Sequence, residues 1–286
     1  MASPTAAPEA LAIFQKTTSR AFFDDLCRKH CCRGRQGLFP VAVVVWLMIQ
    51  QRLLGGGSLA RAVQLVVQGG GQFWQPNRCK RAREEKISSN TGGYCQARQK
   101  LPTLLVTEVA DHMFHQLREQ IQPQAAPLFV MDGTTLRLSH VAAEDVVALY
   151  KLRWNIETDL RSLKRTVGLH QVFGKAVSMV EKEVLLAVAA YNLVRAVMAL
   201  AAQRAQIPPR QLSFAGVQAA VLAALPGLDS ARTDEEYNHR MDRLLRSAAQ
   251  ARLTQRSRPR SYTREIWGRG GRFPFRKSQP LPEANS

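Results

Sequence analysis

The 286-residue chain carries 40 Lys and Arg against 22 Asp and Glu, a formal charge of +18 and a pI near 10.5. An apolar fraction of 45 % supports a packed core, and the length allows one large domain or two ordinary ones. Five cysteines, an odd number without framework spacing, argue against a disulfide-stapled secreted module and for reduced thiols. The excess of base favours a polyanionic partner, nucleic acid first, with an anionic membrane surface or a merely basic protein as the rival readings.

Met1 to Glu9 has neither the basic start nor the apolar core of a signal peptide. Residues 1–37 read as a polar, partly helical lead-in. Within it, Cys27, Cys31 and Cys32 crowd around His30, but a zinc site would want a second Cys/His pair at ligand spacing, and Cys79 and Cys95 stand far off. Pro40 opens an apolar segment over Val41–Leu54, a buried helix ended by Gly55-Gly56-Gly57. Ser58 caps a second helix, Leu59–Gln68, ended by Gly69-Gly70-Gly71. Residues 72–90, with Arg78, Lys80, Arg81 and Arg83, read as an exposed basic loop.

Helix returns over 94–121, broken early at Leu101-Pro102. Leu128–Leu138 is the best strand candidate, although its Asp132-Gly133 pair also suits a hairpin turn. Ala142 to Leu169 is helical and amphipathic. Ser178–Gln206 forms a long helix stopped by Pro208-Pro209, Leu212–Leu225 another stopped by Pro226-Gly227, and Asp234–Leu253 a last one. Val184–Ala202 is long enough to span a membrane, yet Asn192 and Arg195 interrupt it, so it reads as a buried helix of a soluble protein. The tail 254–286 is rich in Arg, Gly, Pro and Ser and is expected to be disordered.

On the helix after Ala142, Tyr150, Arg153, Glu157, Arg161 and Lys164 fall within an arc of roughly 80°. Leu149, Leu152, Ile156, Leu160, Leu163 and Val167 form a neighbouring apolar stripe, expected to be buried. Spacing alone favours a solvated face with Glu157 paired to Arg153 and Arg161.

The literal residues say more. Tyr150-x2-Arg153-x3-Glu157-x6-Lys164 resembles the Tyr-Arg-Glu-Lys signature of bacterial insertion-sequence transposases of the insertion sequence four group, which are DDE enzymes. The resemblance continues through Glu181-Lys182-Glu183 and Ala190–Arg195, and upstream through Gly93–Pro102 and Val130–Thr135, spanning about residues 38–200. It implies that Asp132 is the first catalytic carboxylate and Glu157 the last, both metal ligands, with Tyr150, Arg153, Arg161 and Lys164 on DNA. It also implies Mg²⁺ or Mn²⁺ as cofactor, since two divalent cations about 4 Å apart activate the attacking oxygen and stabilise the leaving one.

The family's second Asp should lie on another strand, far further along. Here Asp132 and Glu157 are 25 residues apart, so the middle strands and that Asp are missing, with a junction near Ser139-His140-Val141. Asp145 is no substitute, because twelve helical residues put it about 18 Å from Glu157 along the axis. Such a copy is expected to hold the metal pair poorly or not at all, and to be catalytically defective. The expected fold is mainly α. A helical N-terminal domain (1–125) precedes a truncated RNase H-like α/β catalytic domain (126–253) lacking its central strands, and a basic disordered tail (254–286) follows. The expected partners are element-end DNA and an oligomer with itself or an intact transposase, in a bacterial cytoplasm at the nucleoid, with no membrane. A non-catalytic DNA-binding protein, or an inhibitor of an intact transposase, is the alternative.

Overall fold

The computed structural model describes residues 18–32, 37–67, 88–121, 155–229 and 233–253. The expected strand at 128–138, residues 72–87 of the expected basic loop at 72–90, and the tail 254–286 lie outside these described residues. Arg252 closes the first compact unit and Leu253 opens a second. Among the described residues the secondary structure is helical apart from one isolated bridge between Leu212 and Arg252.

Helix α1 covers Arg20–Lys29, with the Ser19 hydroxyl accepting from the Phe22 N–H at 3.2 Å. It ends in a left-handed cap. Cys31 has φ +50°, its N–H donates to Arg28 O at 3.3 Å, and the Cys32 N–H donates to Cys27 O at 2.8 Å. These two bonds make a Schellman motif with Cys31 where glycine usually sits.

Helix α2 (Val41–Leu53) starts after Pro40, whose fixed φ suits a helix entry, and every residue from Val43 to Leu53 is buried. It ends where Gly55 and Gly56 take φ +70° and +94°, and the Gly56 and Gly57 N–H groups both donate to Gln51 O. Helix α3 (Leu59–Val67) is entered through Ser58, whose hydroxyl accepts from the Arg61 N–H. Helices α4 (Gly92–Lys100) and α5 (Thr103–Ile121) are split at Leu101-Pro102 as the sequence predicts, because proline cannot supply the next N–H.

Helix α6, described from residue 155 to 161, runs into a π-helical turn at Ser162–Thr166. Then come α7 (Val177–Arg204), a 3-10 turn (Pro209–Gln211), α8 (Phe214–Asp229) and α9 (Asp234–Gln250). Thr233 caps α9 by accepting from the Glu236 N–H, and three acids in the first turn complement its dipole.

Helix α7 is the axis of the unit: α2, α5, α8 and α9 all pack on it. Leu186, Ala187, Ala190, Leu193, Val194, Val197 and Ala201 are fully buried there. It is the one described helix long and apolar enough to cross a membrane, and just over half of its most apolar window is covered by its neighbours.

Two expectations are corrected. Pro226-Gly227 does not stop α8, which starts at Phe214 and continues to Asp229. Burial of Leu225 and Leu228 holds the last turn, and the Gly227 carbonyl accepts from Arg240 of α9. Nor is the apolar stripe of α6 buried throughout. Val167 is buried and Leu163 packs on the core, but Leu160 is 46 % exposed. The π turn explains the change of phase. The Val167 N–H reaches back to Ser162 O, five residues rather than four. One extra residue in a turn rotates the residues beyond it by up to about 100°.

Candidate functional site

Of the predicted site residues, Glu157, Arg161 and Lys164 lie within the described structure, while Asp132, Tyr150 and Arg153 lie outside the described residues. Glu157 is half-buried on α6, Arg161 is exposed at its end, and Lys164 is exposed within the π turn.

Three anchors seat this segment. The first is Asp159, whose carboxylate accepts a two-pronged pair from Arg210 at 2.7 Å on each oxygen and a further bond from Arg195. Arg195 lies over the rings of Tyr191 and Phe214 at 5.4 and 5.9 Å, and those rings stack at 5.1 Å. Burial, with Arg210 nearby, lowers the Arg195 pKa to about 10, still charged at neutral pH.

The second anchor is Gln218 of α8, whose amide donates to the carbonyls of Thr166 at 3.2 Å and of Leu53. The third is a backbone crossing. Gly168 has φ +76°, and a Cβ there would lie 2.6 Å from the Gly55 carbonyl carbon. Only glycine permits that approach. Arg52 reinforces it by donating to Gly168 O at 3.1 Å and Gln171 O at 2.9 Å.

Arg52 also belongs to a buried ion triad that sequence patterns do not reveal. Glu183 on α7 is 2 % exposed at its side chain. One carboxylate oxygen accepts from Arg52 at 2.5 Å and from the Phe173 N–H at 2.9 Å; the other accepts from Arg98 of α4 at 2.6 Å. Desolvation lowers the Arg52 pKa, partly offset by Glu183. Lys182 beside it is buried with its ammonium on the Arg98 and Gln99 carbonyls. Tyr94 of α4 donates its hydroxyl to Gln51 at 2.7 Å, and burial pushes that phenol well above its ordinary range. The cleft over the triad has a volume of about 860 Å³ and reaches Gly56, Phe173 and Lys175.

Chemically, these two regions differ. Both Glu183 oxygens are taken by guanidinium and amide donors, so this carboxylate is a structural counter-ion and not a metal ligand. Asp159, two residues from Glu157, is likewise held by two arginines. Among the described residues no group of three or more His, Cys, Asp or Glu is placed to hold a metal ion. The described donor set therefore does not fit a two-cation centre. Glu157 is half-buried, while Arg161 and Lys164 leave two bases exposed to solvent at the end of α6 and in the π turn.

Residues 62–193 match the family model described as the transposase DDE domain. The match supports a DDE transposase. It covers just under half of the chain and runs from α3 into α7, including Arg98, Glu157, Arg161, Lys164 and Glu183, with Arg52, Arg195 and Arg210 outside it. No curated protein and no solved structure gives a match. The sequence signal for the triad is present but weak: Arg52 is the one charged residue in Val41–Leu53, and Glu183 sits where α7 turns apolar.

Proposed function

We propose that this chain is an insertion-sequence transposase of the Tyr-Arg-Glu-Lys group that has lost an internal segment, and that it binds element-end DNA without cutting it. The observation that carries this reading is the transposase DDE domain match over the stretch that holds Tyr150, Arg153, Glu157, Arg161 and Lys164 at the signature spacing. The charge of +18 supports a DNA partner. DDE transposases generally use divalent metal ions; in an intact relative Mg²⁺ or Mn²⁺ would sit on Asp132, a second Asp and Glu157. With the second Asp missing, Asp132 and Glu157 alone bind the pair too weakly for strand cleavage and transfer. Arg161 and Lys164, with Tyr150 and Arg153, hold the DNA backbone.

In this reading residues 1–125 are the helical N-terminal domain, 126–253 the shortened RNase H-like domain, and 254–286 a basic arm. The protein works at the nucleoid in a bacterial cytoplasm, alone or in a mixed oligomer with an intact transposase, which it would inhibit by occupying DNA ends.

The test combines binding and cleavage. Labelled element-end DNA is incubated with the full chain and Mg²⁺ or Mn²⁺, beside Glu157→Ala and Lys164→Ala. The expected result is salt-sensitive binding with no cleavage, unchanged in Glu157→Ala. Lys164→Ala should reduce the slope of log K against log salt by about 1. Cleavage that disappears in Glu157→Ala would overturn the claim of defective chemistry, and absence of salt-sensitive binding would overturn the DNA-binding claim.

A further inference from the structure

The cap at the end of α1 does more than finish a helix. In a Schellman motif the residue three from the helix end and the residue two past the cap are brought side by side, and a contact between their side chains frequently accompanies it. Here those two positions are Cys27 and Cys32, joined by the 2.8 Å bond from the Cys32 N–H to Cys27 O. Both are half-buried free thiols, whereas Cys31, between them at φ +50°, is exposed. A disulfide needs Cα atoms within about 4.4–6.8 Å and side chains facing each other. A six-residue loop closed by its own backbone bond holds the two residues at short range within one helix end.

The surroundings hold the pair in place. The His30 ring nitrogen lies 2.9 Å from Glu108 of α5, Lys29 reaches the same carboxylate, and the Cys32 thiol donates to His30 O at 3.7 Å. A cavity beside His30, Cys31 and Cys32 leads to this edge from solvent. Among the described residues no group of three or more metal-ligating side chains includes these thiols.

We propose that Cys27 and Cys32 form an oxidisable dithiol, a modification site at which a hydroperoxide closes a disulfide across the α1 cap. The Cys32 thiolate attacks the terminal peroxide oxygen; the O–O bond breaks, leaving a Cys32 sulfenic acid, and the departing oxygen takes up the proton the thiol had released, leaving as water from hydrogen peroxide or as an alcohol from an organic hydroperoxide. The Cys27 sulfur then attacks the Cys32 sulfur, the S–S bond forms, the S–O bond breaks, and a water carries away the Cys27 proton. Two thiols are oxidised and one peroxide is reduced. Burial raises both thiols, Cys27 to about 11 with the neighbouring Cys32 charge adding to it, so the reaction is slow at neutral pH and quickens with alkalinity. The inference is independent of DNA binding.

The experiment treats the full chain with hydrogen peroxide at mildly alkaline pH, blocks remaining thiols and digests with trypsin without reductant. Cleavage after Arg28 and Lys29 separates Cys27 from the peptide His30-Cys31-Cys32-Arg33. The expected product is these two peptides linked, with fragmentation between Cys31 and Cys32 placing the link on Cys32. The link persists in Cys31→Ser and is lost in Cys27→Ser and Cys32→Ser. A link from Cys27 to Cys31, a ring within Cys31-Cys32, a link to Cys79 or Cys95, or oxidation without any link would each overturn it. Because the wild-type map alone decides, a variant that folds poorly does not spoil the test.

Discussion

Replacing Glu183 by alanine leaves two buried guanidiniums without their shared counter-ion. Arg52 keeps two carbonyl acceptors, Gly168 O and Gln171 O. Arg98 keeps a contact of 3.7 Å to the Met179 sulfur and its place over the Tyr94 ring at 5.7 Å, with its side chain 10 % exposed and no oxygen acceptor in place of Glu183. Removing one partner of a buried pair costs about 3–5 kcal/mol, a large part of the ~5–15 kcal/mol that holds a domain together. With a urea slope of about 2–3 kcal/mol per molar, the midpoint should fall by roughly 1–2.5 M. The measurement is equilibrium urea unfolding followed by far-ultraviolet circular dichroism. A control tests the cause. Replacing Arg52, Arg98 and Glu183 together by Met, Met and Leu removes every charge, and should cost far less than Glu183→Ala, because apolar substitutes for a buried ion group are often neutral or better. A loss under about 1 kcal/mol in Glu183→Ala, or a triple variant that loses more, would refute the reasoning.

Three further outcomes rest on the packing. Gly168→Ala should destabilise by about 2 kcal/mol or more, from a left-handed φ and the overlap with Gly55, whereas Gly37→Ala, with open space around it, should stay within about 0.5 kcal/mol; thermal melts compare them. Leu160→Ser should change stability by no more than about 0.5 kcal/mol, because the side chain is nearly half exposed; a loss of about 2 kcal/mol would show it buried after all. The Arg204–Asp242 pair should show a small coupling, about 0.2–1 kcal/mol, in a double-mutant cycle at neutral pH. The hydrogen bond from Arg204 depresses the Asp242 pKa, so this contribution is complete above the unfolded carboxylate range and is lost as pH falls through the folded value; a coupling that grows on acidification would contradict it.

Local rules placed most helices. Pro40 and the glycines at 55–57 bracket α2, Leu101-Pro102 divides α4 from α5, and Thr233 opens α9, because caps and breakers act within a few residues. The error at Pro226 has the opposite origin: a local breaker lost to burial of Leu228 and to an arginine from another helix. The π turn at Ser162–Thr166 was invisible for a similar reason, since it is set by what Leu163, Thr166 and Val167 meet on α7 and α8. For the candidate site, the polar face around Glu157 was proposed from its literal residues, since its spacing alone describes a solvated helix face. The triad was not, because Arg52 and Arg98 reach Glu183 from 131 and 85 residues away and periodicity carries no information at that range.

The crossing of Gly55 and Gly168 bears on how such a chain can change length. Among the described residues, the side chains that bond the segment after Glu157 are those of Arg52, Glu183, Arg195, Arg210 and Gln218. Two stretches that clasp each other across 116 positions depend little on how many residues join them. Closure entropy grows only with the logarithm of the connection, about 0.6 kcal/mol for each doubling. A change in the length of the connection would thus cost little in closure entropy, whatever it does to the helices that the connection carries. The joint itself tolerates little, because any side chain at Gly168 would overlap the Gly55 backbone.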